Sequence, residues 1–127
     1  SLPRTVAVFG RGFAVGTVAA LPWLRRAAVV YWGDLDSHGF AILDRLRAHL
    51  PAVRSVLMDA ETVSTWQNLA VADHAPTRVA LPRLTSEEAE ALDSLTVAGD
   101  LRLEQERIPW DWALPRVEAA WDDDEDD

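Results

Sequence analysis

The chain has no cysteine and no lysine among its 127 residues. Without cysteine there are no disulfide staples, no thiolate zinc sites and no cysteine nucleophile; the absence is compatible with a cytoplasmic address, which is the expected one. Without lysine all twelve basic residues are Arg, and any mechanism that requires a lysine on this chain is excluded. Tyr31, the one Tyr, lies within an apolar run and reads as a packing residue rather than a nucleophile. No stretch approaches the roughly 18 consecutive apolar residues of a membrane span. The first residues do not form a secretory signal. A soluble protein with no membrane partner is expected.

Against these absences stand 49% hydrophobic residues and six Trp, enough for collapse into one domain with a modest core. The formal net charge is -9, and the run DDDEDD from Asp122 to Asp127 supplies six of the negative charges. Such a run reads as a disordered, solvated tail, and it competes electrostatically with nucleic acid for any nearby surface. The expected organisation is one domain over residues 1–121 followed by an acidic tail over residues 122–127.

Hydrophobic patterning alternates strands with helices. Thr5 to Phe9 reads as a short buried strand, Gly10-Arg11-Gly12 as a turn, and Phe13 to Leu21 as a helix stopped near Pro22. Ala27 to Trp32 has no polar alternation, which suits a central strand covered on both faces. Phe40, Leu43, Leu46 and Leu50 recur at helical spacing, predicting a helix over about 39–50 with Asp44, Arg45 and Arg47 towards solvent. Val53 to Met58 reads as a third strand, and Glu61 to Leu69 as a helix with Trp66 on its buried side. Residues 70–83 read as irregular apart from a short extension at Val79-Ala80-Leu81. Thr85 and Glu88 have capping-box spacing, predicting a helix that runs to Leu92 or Leu95. Gly99-Asp100 makes a turn before an extended Leu101 to Ile108. The β-α-β-α-β series with short crossovers predicts an α/β fold around a mostly parallel sheet.

The segment Ala27 to Phe40, AAVVYWGDLDSHGF, carries the chemistry. Asp34 and Asp36 stand at i and i+2 directly after the central strand and share one side of an extended chain. The crevice beyond strand carboxyl ends is where ligands collect in open α/β sheets. Two bare carboxylates this close repel one another, raising at least one pKa; a divalent cation removes the problem, and oxygen-rich sites favour Mg²⁺ or Mn²⁺. The competing reading ends the strand at Asp34 and makes Asp36 or Ser37 a helix cap. His38 is placed to assist a proton transfer or a ligand contact, or to hydrogen-bond the backbone of its own turn. Arg11 is suited to orient phosphate, with Gly12 allowing close approach. In Leu101 to Pro109, LRLEQERIP, Glu104 and Glu106 share a face if the segment is a strand. One of them, Glu104 for preference, then supplies a third carboxylate; the alternative is a charged edge strand. A haloacid-dehalogenase phosphatase and a response-regulator domain both fail for want of a lysine. Trp110, Trp112 and Trp121 read as core cover rather than base-stacking residues.

The words FGRGFAV, LPWLRRAAVVYWGDLDSHGFAILDRLRAHLP, SVLMDAET and RLEQERIPW, in this order, resemble the carboxy-terminal region of the Wadjet JetD family. The resemblance covers nearly the whole chain apart from the acidic tail. It implies a Toprim-like Rossmannoid domain related to the A subunit of topoisomerase VI. The implied activity is that of a divalent-metal-dependent DNA endonuclease module in a bacterial anti-plasmid defence system. Its implied partners are double-stranded DNA and the other defence-system subunits, and a homodimer is one assembly open to it. Asp34 and Asp36 match the metal-binding DxD of the Toprim pattern. The upstream strand and Glu of that pattern have no counterpart here. The expectation is therefore an amino-terminally truncated core, weak or inactive by itself, and the alternative is a non-catalytic DNA-sensing or protein-interaction module that keeps the Toprim shape.

Overall fold

The computed structural model of the chain describes residues 5–10 and 28–125. The predicted turn at Arg11 and Gly12 and the predicted helix at Phe13 to Leu21 lie outside the described residues. Strand β1, Thr5–Gly10, pairs in parallel with β2, Ala28–Gly33, from Thr5 opposite Ala28 to Gly10 opposite Gly33. On its other edge β2 pairs in parallel with β3, Arg54–Ser55, giving the order β1-β2-β3. The uninterrupted apolar run therefore occupies the central strand, and it is buried from Val29 to Gly33 because both sides of the sheet are covered. This α/β arrangement is the expected one.

Helix α1, Ser37–His49, follows β2 after three residues. It starts two residues ahead of the expected Gly39 because the Asp36 side chain accepts a hydrogen bond from the Gly39 N–H and takes the cap position. Phe40, Leu43 and Leu46 face the core as their spacing predicts. Asp44 and Arg47 do not face solvent. Both are buried, Asp44 against the Arg83 backbone N–H and guanidinium, and Arg47 against Glu88. Helical spacing placed them beside the polar face, but a second helix covers that side.

The strand expected at Val53 to Met58 is only two residues long. Its end is set by Leu57, a fully buried residue held at φ 63°, where the chain turns into the core instead of continuing along the sheet. A branched side chain in the left-handed region is tolerated only where surrounding packing over-determines it. Helix α2, Ala60–Trp66, is capped by Asp59, whose Oδ1 accepts from the Thr62 N–H at 2.8 Å, and Gln67–Leu69 completes it as a 3₁₀ turn. Helix α3, Ser86–Val97, has the predicted capping box with Thr85 and Glu88 reciprocally bonded. Gly99 and Asp100 both take positive φ and reverse the chain.

A second sheet joins β4, Val71–Ala72, and β5, Leu101–Arg102, antiparallel. Val79 to Leu81 forms no strand. The extended segment expected over Leu101 to Ile108 breaks after Leu103: Gln105–Arg107 is a 3₁₀ turn, so Glu104 and Glu106 do not share a strand face. Helix α4, Trp110–Glu125, closes the order, with Pro115 inside it. The acidic run enters this helix, whose backbone continues through Glu125; Asp126 and Asp127 lie outside the described residues. Among the described residues no helix is long and apolar enough to cross a membrane.

Candidate functional site

The carboxyl end of β2 is fastened on three sides. Leu35 exchanges two backbone hydrogen bonds with Leu103, at 2.9 and 3.0 Å, forming an isolated antiparallel bridge. The Tyr31 hydroxyl, fully buried beneath the loop, donates to the Gly39 carbonyl at 2.8 Å. The first turn of α1 also presses close to Asp34, so that a Cβ on Gly39 would stand 1.9 Å from the Asp34 carbonyl oxygen. Only glycine fits there.

The Leu35–Leu103 bridge buries both leucines. Because side chains alternate along extended chain and antiparallel partners face one another, the register sets Asp36 across from Arg102 and Asp34 across from Glu104, on the side away from the leucines. Asp34 is half-buried, and its Oδ1 accepts the Gln105 backbone N–H at 2.8 Å. Asp36 is 4% exposed, and its Oδ1 accepts the Gly39 N–H at 2.6 Å. Burial pushes the Asp36 carboxyl above its ordinary value; the Gly39 bond opposes this, while the charges of Asp34 and Asp73 add to it. Burial, and after it the charges of Asp36 and Asp34, also raise the Tyr31 hydroxyl, which keeps it a neutral donor.

Asp73 was not singled out by sequence reasoning, because it sits in a segment with no periodicity. It reaches the site because that segment lies over the start of α1: Thr77 N–H donates to Ser37 Oγ at 2.9 Å, and the His38 ring meets the Ala75 carbonyl oxygen at 2.6 Å. A carbonyl only accepts, so His38 Nε2 carries the proton and donates it to Ala75. His38 itself is exposed. Glu104 accepts from the Arg102 guanidinium at 2.7 Å. It stands beside the aspartates by register, but its carboxylate is turned to Arg102. Among the described residues no group of three or more His, Cys, Asp or Glu side chains is placed to hold a metal ion. Buried atoms without a protein partner include Asp73 Oδ2, Gln105 Oε1 and Arg102 Nε. Arg11 and Gly12 lie outside the described residues.

Of the tryptophans expected to cover the core, Trp112 does so edge-on to Trp66 at 5.7 Å, with the Arg116 guanidinium 3.6 Å above its ring. Trp110 stacks on Trp32 at 6.2 Å yet is 57% exposed. A cavity of about 440 Å³ opens away from the acid pair, lined in part by Arg47, Ser55, Arg83, Thr85 and Glu88. Its buried charges are engaged with one another: Arg47 and Glu88 form a fork-to-fork pair, and Ser55 Oγ donates to Glu88.

Fold and site together define an α/β domain with an acidic loop at the carboxyl end of its central parallel strand. The chain matches the family described as Wadjet protein JetD, C-terminal, over residues 1–117, and it belongs to that family. No curated protein matches it.

Proposed function

We propose that this domain has a Toprim-like core and serves the Wadjet system as its divalent-metal-dependent DNA endonuclease module, acting on double-stranded DNA with the other defence subunits. What supports the reading is the Asp34 and Asp36 pair directly beyond the central strand, on one side of an extended chain by its i, i+2 spacing, with Asp36 pushed up by burial and by the charge of Asp34. The donor set fits a hydrated Mg²⁺ or Mn²⁺, which is held by one or two carboxylates and keeps several waters. Asp34 and Asp36 would hold it. The ion would polarise a phosphate oxygen and offset the charge that develops in phosphodiester cleavage.

The chain's own residues orient the acids. Asp34 is anchored by the Gln105 N–H and Asp36 by the Gly39 N–H, each through a single oxygen. Tyr31 holds strand and helix together beneath them. His38, with its Nε2 proton committed to Ala75, leaves Nδ1 for a proton transfer or a ligand contact.

The competing reading, a non-catalytic DNA-sensing or interaction module, is favoured by the helix-capping role of Asp36 and the engagement of Glu104 by Arg102. Asp34→Asn and Asp36→Asn separate the two, because the amide retains an oxygen for each backbone bond while removing the charge. In the full-length protein with its partner subunits, either variant should cut plasmid DNA at least 100-fold more slowly and bind Mn²⁺ at least tenfold more weakly. Undiminished cleavage by the double variant sinks the nuclease assignment for this site; retained partner binding without any Mn²⁺ binding by the parent establishes the interaction module.

A further inference from the structure

The Leu35–Leu103 bridge brings a cation as well as acids to the loop. Arg102 lies across from Asp36 by register, donates to Glu104 Oε1 at 2.7 Å, and has its Nε without a protein partner. Its side chain is 42% exposed although Nε is buried, so one end of the guanidinium is covered while a terminal nitrogen is held by Glu104. The Glu104 bond and, beyond it, the charges of Glu104, Asp36 and Asp73 stabilise the guanidinium cation.

We infer that Arg102 is the resident counter-cation of the acid loop: it competes with the divalent ion for Asp36, withholds Glu104 from it, and presents the solvent-facing part of its guanidinium to a DNA phosphate. The inference rests on the metal-dependent reading above and assigns a role in it to a residue of this chain. The pair is open to solvent on the arginine side, and solvent screening weakens such an ion pair, so exchange of partners is cheap. The guanidinium offers five N–H donors in a planar fork, matched to phosphate as well as to carboxylate. Glu104 keeps an acidic position opposite Asp34, and its expected service as a third carboxylate depends on the release of Arg102.

This arrangement predicts effects of opposite sign from one substitution. Arg102→Gln should raise Mn²⁺ affinity three- to tenfold, measured by calorimetry or by the free-Mn²⁺ resonance signal. The same variant should weaken binding of duplex DNA, measured in Ca²⁺ by fluorescence anisotropy, by at least fivefold. Arg102→Lys keeps the charge and should leave Mn²⁺ affinity near the parent value. Glu104→Gln should lower Mn²⁺ affinity. A merely structural Arg102 would weaken both kinds of binding together, with a lower melting temperature for Arg102→Gln; that result overturns the inference. So does unchanged Mn²⁺ affinity in a folded Arg102→Gln variant whose Mn²⁺ binding still depends on Asp34 and Asp36. Absence of Mn²⁺ binding by the parent full-length protein removes the metal-dependent reading itself, and this inference with it.

Discussion

Asp36 performs two tasks that pull its chemistry in opposite directions. As cap of α1 it accepts from Gly39 N–H, a role that Asn fills equally well. As a buried carboxylate beside Asp34 and Asp73 it has a raised folded-state pKa. The charged form is thus disfavoured on folding, and the penalty grows as pH rises from the ordinary carboxylate value through the raised one. In chemical denaturation at about pH 7 the Asp36→Asn variant should be more stable than the parent, and the difference should vanish near about pH 3, where the carboxyl is protonated in both states. Relative to Asp36→Asn, Asp36→Ala should lose about 1 kcal/mol through the missing cap. Both roles were legible in the sequence, since the i, i+2 spacing and the position before a helix are local properties. Asp73 and Arg102 were not legible as site residues, because each arrives from a segment that reads locally as irregular or as charged edge.

At the level of elements, α1 and α3 are joined by a buried ion pair. Burial alone would push the Glu88 carboxyl up, but bonds from Arg47, Ser55 and the Thr85 N–H outweigh it and hold Glu88 below its ordinary value. Its contribution is therefore present above the ordinary carboxylate pKa and is lost as pH falls through the lowered one. Glu88→Gln leaves Arg47 buried without a counter-charge and should cost about 3 to 5 kcal/mol in equilibrium unfolding. It should also flatten the acid limb of the stability profile. Replacing Arg47 and Glu88 together with Met and Leu should recover most of that loss. The capping box revealed where α3 begins, but its Glu looked like a purely local device; nothing in the spacing signals that the same carboxylate receives Arg47 from 41 residues away. Helices were read more accurately than the short strands for a related reason. Caps and periodicity are local, whereas β3 and β5 stop where Leu57 turns inward and where the Gln105 N–H turns to Asp34.

Over the whole molecule the formal charge of -9 opposes a polyanionic ligand, so on the proposed function a cation would mediate the approach of DNA to the acid loop. Anisotropy of a labelled duplex should show no association in EDTA and a rise on adding Mg²⁺, and the effect should be absent in the Asp34→Asn variant. Association of equal strength in EDTA contradicts a cation-mediated interface. The alternation of strands and helices made the parallel sheet legible from the sequence, since one buried run flanked by two crossovers has few other solutions. The crossing of the carboxy-terminal segment over the loop was not legible, because the contact depends on packing between distant parts of the chain. That crossing also sets an order of events during synthesis. Asp34 and its latch at Gln105 are 71 residues apart, so a nascent chain presents the aspartates well before the ribosome has released the segment that fixes them. Asp34 gains its bond from Gln105 only when most of the domain has been made, so an unfinished or prematurely terminated product lacks the fixed acid loop.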